Sequence, residues 1–394
     1  MPNFKTLNDL NAKGKRVLVR LDLNLPLQNG QVTDLTRLER SLPTLKELVS
    51  QGAKIIVMAH LGRPKGIDKS LTLSPIAKAL KMAMAPTPVF FCEDCQGSGV
   101  EKSIQSLREG EVLLLENMRF NEGEEKNDPA FVQEMARWGD VYVNDAFSTA
   151  HRAHASTEGI AHHLPSYAGR LMEEELKALK LALGNPKRPL MAIVGGAKVS
   201  TKLPLLENLL PKVDVLVIGG AMANTFLAAQ GYNVGASLYE PDLLDTARNL
   251  LAKGVEILLP QDVVVAESLE DKGSIKTCLI SEVKENDKIF DVGPATCAQI
   301  LDKMKICRTI LWNGPLGVFE MPPFGKGTIT IAQGAARLTH EGSLLSVAGG
   351  GDTVAALAHA GVLEEFTYVS TAGGAFLEWL EGKPLPGVEA LQGV

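Results

Sequence analysis

Short runs of aliphatic and β-branched residues, almost free of polar interruption, alternate with longer amphipathic stretches along the whole chain. A strand without alternating polar residues has to be covered on both faces, and parallel neighbours need a crossover of a dozen or more residues between them. The pattern therefore implies βα units built around mainly parallel sheets. Strands are expected in RVLVRLDL (16–23), KIIVMAH (54–60), VFF (89–91), EVLLLEN (111–117) and VYVNDAF (141–147). A second series comprises LMAIVGG (190–196), VDVLVIGG (213–220), EILLPQDVVVA (256–266), TILWNGP (309–315), LLSVAGG (344–350) and FTYVSTAGG (366–374). Helices are expected between them, for instance over 35–50 and 224–232; in the first, Leu38, Leu42, Leu45 and Leu48 recur at helical spacing and belong to a core.

The two series are divided by YAGRLMEEELKALKLALGNPKRP (167–189), a helical body closed by a Gly-Asn-Pro stop. A helix joining two α/β domains reads this way, with a hinge nearby. A length of 394 residues also favours two domains. The expected fold class is α/β: two Rossmann-like domains, each a mainly parallel sheet flanked by helices, joined by a hinge helix. A net charge of -6 argues against nucleic acid as a partner. The opening MPNFKTLNDLNAKGK lacks the apolar core of a secretory signal, and no run of about 18 apolar residues occurs, so no membrane role and a cytoplasmic location are expected. Five cysteines are scattered along the chain; Cys92-x-x-Cys95 has no second pair at zinc-finger spacing, and reduced, incidental thiols are expected.

In open α/β sheets ligands bind beyond the carboxyl ends of the strands. There the two halves differ. The first half offers Asp22 and Asn24, then His60 and Arg63, then Arg119, then Arg152, with Arg20 and Arg37 nearby in sequence. Arginine forks match carboxylate or phosphate bidentately, so several of them suit a small molecule with more than one negative group. The second half offers glycines: GGAK (195–198), GGAM (219–222), DVGP (291–294), WNGPLG (312–317), AGGGDT (348–353) and STAGG (370–374). Glycines let a backbone approach a ligand, and those opening a helix present free N–H groups to phosphate. This half reads as a nucleotide site, although neither the P-loop nor the dinucleotide glycine fingerprint is present.

The stretch VNDAFSTAHRAHAST (143–157) admits three readings: a metal site through His151 and His154, a histidine base oriented by Asp145, or an anion cradle. A metal site needs more ligands than this pair provides. With arginines at the other strand ends, the cradle is preferred: Arg152 meets the anion and the histidines support it, while a mutual hydrogen bond between His154 and Asp145 stays open as the plain structural alternative. Asp352 in AGGGDTVAALAHA (348–360) has two readings, a helix N-cap or a carboxylate that holds Mg²⁺ beside phosphate oxygens.

Taken together, RLDLNLPL (20–27), TRLERSLPTL (36–45), HLGRP (60–64), ENMRF (116–120), NDAFSTAHRAHAST (144–157), GGAKVSTKL (195–203), GGAMANTFL (219–227), WNGPLGVFE (312–320) and GGGDTVAAL (349–357) resemble, in order, the motifs of the phosphoglycerate kinase family over essentially the whole chain. The resemblance implies that Asp22, Asn24, Arg37, His60, Arg63, Arg119 and Arg152 hold 3-phosphoglycerate. It implies that Lys198, Lys202, Gly293, Glu320, Gly350, Gly351, Asp352 and Thr353 serve ATP or ADP, with Glu320 on the ribose and Asp352 on Mg²⁺. It further implies a monomer with a 3-phosphoglycerate domain over 1–170 plus 380–394 and a nucleotide domain over 171–379. Ser148, Thr201, Ala221 and Thr353 depart from that family's usual Gly, Asp, Gly and Ser.

The implied reaction is Mg-dependent phosphoryl transfer between 1,3-bisphosphoglycerate and ADP, by domain closure, in glycolysis. The acceptor carboxylate is already ionised, so no general base is needed. Arg37, Lys202 and the Gly350 and Gly351 amides are expected to neutralise the transferring group. Two alternatives stand beside it: another kinase of small carboxylates, and a two-domain protein that only binds an anion.

Overall fold

The computed structural model describes residues 4–392, which form two compact units: the residues up to Lys177 together with those from Pro384 on, and Ala178–Lys383.

The first unit is built on β1 (Arg16–Arg20), β2 (Lys54–Met58), β3 (Val89–Cys92), β4 (Val112–Leu115), β5 (Val141–Asn144) and β6 (Ser166–Ala168). They make one sheet in the order β3-β4-β2-β1-β5-β6, parallel throughout. The central strands are buried along their length, as their unbroken apolar runs require. One core cluster includes Val17, Val19, Ile55, Val57 and Leu114; another on the alternate residues includes Leu18, Ile56, Met58, Leu113 and Leu115. Helix α1 (Thr36–Ser50) joins the first cluster through Leu38, Leu45 and Leu48, with Leu42 half-buried beside it. Its start is held by Asp34 Oδ1, which accepts from the Thr36 amide at 2.8 Å and its hydroxyl at 2.6 Å. Both bonds favour the ionised carboxylate and lower its pKa.

β6 and a short hairpin, Leu27–Gln28 with Gln31–Val32, lie outside the expected strands. The segment Pro386–Gln392 completes this unit: Gly387 N–H donates to the Ala150 carbonyl at 2.8 Å, and Ala390 packs in the second core cluster.

The expected linking helix is α2 (Arg170–Leu179), which continues into a single π-helical stretch, Lys180–Gly184. The second unit has β7 (Leu190–Gly195), β8 (Val215–Gly219), β9 (Glu256–Leu258), β10 (Thr309–Asn313), β11 (Leu345–Gly349) and β12 (Tyr368–Ser370). These pair in parallel in the order β9-β8-β7-β10-β11-β12, which places the switch in winding between β7 and β10. The stretch 256–266, expected as one strand, is two. Pro260 and Gln261 interrupt it, and Asp262–Ala266 instead pairs antiparallel with Lys276–Leu279 and Lys288–Val292 in a separate three-stranded sheet. Among the described residues no helix is long and apolar enough to cross a membrane.

Candidate active site

In the first unit the chain past β1 carries Asp22, only 7% exposed. Its Oδ2 accepts from Arg37 Nη1 at 2.9 Å and from Ser148 Oγ at 2.5 Å, and its Oδ1 from the Asn24 amide at 3.1 Å. Asn24 Oδ1 accepts from the Gly62 amide at 3.0 Å, and the Gly62 carbonyl accepts from Arg119 Nη1 at 2.5 Å. Asp22, Asn24, Arg37 and Arg119 thus form one hydrogen-bonded rim over the ends of β1, β2 and β4. Arg119 Nε stands 3.1 Å from Glu125 Oε1, an ion pair without hydrogen-bond alignment. Arg152 Nε donates to His151 Nε2 at 3.1 Å. Arg63 is exposed and has no bond to this rim.

Electrostatics gather these groups further. His60 is buried, and its imidazole is pushed well below the usual range, first by desolvation and then by Arg20, Arg119 and Arg152. His154 falls to about 4 from burial and the same three guanidinium groups. Two neutral histidines thus lie within a concentration of positive charge that suits an anion.

Asp145 does not meet His154. It lies under the start of α2, accepting from the Met172 amide at 3.0 Å, and burial raises its carboxyl to about 7. The alternative of a mutual His154–Asp145 bond is therefore wrong: Asp145 points to the helix amides, which offer a buried acceptor donors without a second ring. Among the described residues no group of three or more His, Cys, Asp or Glu is placed to hold a metal ion.

In the second unit a cavity of about 550 Å³ opens beside the ends of β7, β8 and β10; its lining includes Gly196, Gly220, Leu316, Asp291, Glu320 and Asp352. Helix α3 (Val199–Leu209) follows β7 and carries Lys202; Lys198, at its N-cap, is exposed. Lys202 Nζ donates to Asn313 Oδ1 at 2.6 Å, and Asn313 Nδ2 donates to the Gly349 carbonyl at 2.8 Å. Burial lowers the Lys202 pKa, opposed by Asp352 and Glu381.

Helix α4 (Gly351–His359) begins at Gly350, which has φ +99° and no side-chain cap. A Cβ there would sit 2.6 Å from Asn313 Nδ2, whereas Gly351 faces open space. The first N–H groups of α4 are therefore uncovered at its positive end. Asp352 lies in that first turn without capping it, which removes the N-cap reading and leaves its carboxylate on the cavity. Thr353 is buried, its Oγ1 accepting from the Gly314 amide at 2.7 Å.

Gly293 is placed differently. It follows a strand of the antiparallel sheet, and a Cβ on it would lie 2.2 Å from Asp262 Oδ2. Asp262 also occupies the amides of Ala295 and Thr296 at the start of the next helix, so that helix start is taken by protein. Its neighbours Asp291 and Val292 line the cavity. Gly195 and Gly314 likewise serve backbone against backbone: a Cβ on either would fall within about 2 Å of a carbonyl oxygen of the other loop. Sequence reasoning missed Asn313 as the tether of Lys202, and left Arg20 without a role; an arginine inside the buried run RVLVR was the available signal.

Residues 7–383 match the profile of the family described as Phosphoglycerate kinase. A relative named phosphoglycerate kinase from Azorhizobium caulinodans is 56% identical over 396 residues, covering all of both chains. The solved phosphoglycerate kinase from Coxiella burnetii superposes with a TM-score of 0.92 at 43% identity, over 99% of this chain and 98% of that one. The crystal structure of the enzyme from Pyrococcus horikoshii gives 0.81 at 31% identity, over 98% of each.

Proposed function

The chain belongs to the phosphoglycerate kinase family and is a phosphotransferase, and from that premise we propose how its own residues carry the reaction. The first unit holds 3-phosphoglycerate or 1,3-bisphosphoglycerate through Arg37, Arg63, Arg119 and Arg152, with His60 as a neutral donor and Asp22 and Asn24 fixing orientation. The second unit holds ADP or ATP in the 550 Å³ cavity, with Glu320 toward the ribose, Gly293 and Lys198 alongside, and the phosphates at the open start of α4 over Gly350, Gly351 and Thr353.

The substrate carboxylate attacks as an anion, so no residue has to remove a proton. Alignment and charge are what the step demands. Lys202, Arg37 and the first amides of α4 meet charge developing on the transferring oxygens; each preorganised donor of this kind is worth roughly 3 kcal/mol of barrier. Asp352 fits a divalent cation, being an uncapping carboxylate on the cavity beside the phosphate site, and Mg²⁺ there would neutralise phosphate charge. Reaction requires the two ligands to meet with water excluded, so turnover proceeds through a closed state. We place the enzyme in the cytoplasm as a monomer acting on small molecules, with neither nucleic acid nor membrane as partner.

The observation that carries this reading is the tether from Lys202 through Asn313 to the Gly349 carbonyl, which fixes a cation beside a helix start open to phosphate. The test is ATP-dependent turnover of 3-phosphoglycerate with Mg²⁺ in a coupled spectrophotometric assay, set beside other small carboxylates. Faster turnover of another carboxylate would move the assignment to that substrate.

A further inference from the structure

A buried chain of polar groups leads to His60, and each link has a fixed direction. From it we propose that Arg20, backed by Ser156 and Glu124, is a positioning residue that locks His60 in its Nε2–H tautomer, ready to donate to an oxygen of a bound carboxylate or phosphate. The proposal rests on the reading of the first unit as the anion cradle.

Arg20 is 1% exposed, and its guanidinium is spent in three directions. Nη1 donates to the Leu21 carbonyl at 2.5 Å, Nε to Ser156 Oγ at 2.8 Å, and Nη2 lies 3.0 Å from His60 Nδ1. A guanidinium has no acceptor and keeps its protons in proteins. His60 Nδ1 therefore has to be the acceptor, and the hydrogen of a neutral ring sits on Nε2. The opposite tautomer would set two donors against each other at 3.0 Å. The imidazolium is disfavoured on its own account by burial among arginines.

The far end of the chain keeps Arg20 from turning. Ser156 Oγ accepts from Arg20 Nε, so its own hydrogen goes to Glu124 Oε1 at 2.6 Å, while Glu124 Oε2 accepts from the Ser156 amide at 3.0 Å. Glu124 is fully buried; burial raises its carboxyl, and Arg20 and the Ser156 bonds pull against that rise. The order Glu124, Ser156, Arg20, His60 runs from a carboxylate to a ring that ends on a donor. A lone pair on Nε2 would repel an anionic ligand; an N–H attracts it.

The experiment uses the intact, ligand-free protein with ¹⁵N-labelled histidine. Long-range proton–nitrogen correlation spectra, assigned with His60→Gln, should show a protonated Nε2 and a bare Nδ1 across the neutral pH range. Arg20→Lys, whose single ammonium cannot fork between Ser156 and His60, should give a mixture of tautomers and raise KM for 3-phosphoglycerate about tenfold with KM for ATP unchanged. Ser156→Ala should give a smaller change of both kinds. A protonated Nδ1 in the unaltered protein, or an unmixed ring in Arg20→Lys, overturns the proposal. Because the spectra need no turnover, a locked ring in a protein that fails the kinase assay would count against the proposed reaction and leave the tautomer assignment standing.

Discussion

Lys202 Nζ is held 2.6 Å from Asn313 Oδ1, and through Asn313 it is tied to the strand end that leads into α4. The cation and the amides it works with are thus placed by one side chain. Asn313→Ala should lower kcat about tenfold, the loss of roughly one well-placed hydrogen bond, with KM for 3-phosphoglycerate near normal. Steady-state kinetics with each substrate varied measure this, and an unaltered kcat would show that Lys202 is placed by other contacts.

Arg37 has one charged partner, at 2.9 Å, and its side chain is 39% exposed. It is available to turn toward a transferring group. Arg37→Ala is expected to reduce kcat by at least about 10²-fold while nucleotide affinity holds. A variant that turns over at the normal rate removes Arg37 from the chemistry.

Asp352 does not cap its helix, so its loss should not unfold the protein. Calorimetric titration of Asp352→Ala should show weaker ADP binding in Mg²⁺ and an unchanged response to 3-phosphoglycerate. Equal weakening of both ligands would mean the carboxylate supports the fold.

Asp145 sets a pH dependence of stability. Burial raises its carboxyl to about 7, against about 3.9 in an unfolded chain, so the folded state binds this proton more tightly. The stability it contributes is full below about pH 4 and is lost as pH rises toward 7. Asp145→Asn keeps an acceptor for the Met172 amide and should flatten urea-unfolding stability over that window. Asp291, also raised to about 7 by burial, titrates with the same sign in both proteins, so the difference between them reports Asp145. Parallel pH profiles would contradict the assignment.

Small-angle scattering is expected to show a more compact particle with 3-phosphoglycerate and an ATP analogue together than with either alone. Equal dimensions in all three states would argue against a closed catalytic form.

Both parallel sheets could be read from residues because their central strands are continuous apolar runs such as KIIVM and VLVIG. Where that signal weakens, reading fails for a physical reason. Ser166–Ala168 has three residues and no apolar run, and Lys276–Leu279 alternates half-buried with exposed positions, so neither stands out from a loop. The strand-end arginines were legible as a set. The glycines were legible as a pattern but not individually: Gly351 faces open space, whereas Gly195, Gly293 and Gly314 are small because distant backbone or the Asp262 carboxylate presses on them. Contacts between residues a hundred positions apart, such as Lys202 with Asn313 or Arg20 with Ser156, leave no local trace in sequence.

The segment Pro386–Gln392 finishes the unit begun by β1, with the whole of Ala178–Lys383 inserted between. The inserted unit has its own parallel sheet, whereas the earlier one takes the Gly387 amide that meets Ala150 and the Ala390 methyl that fills its core from beyond the insertion. Cutting the chain just before Pro386 should therefore injure the core of the distant first unit rather than that of the unit beside the cut.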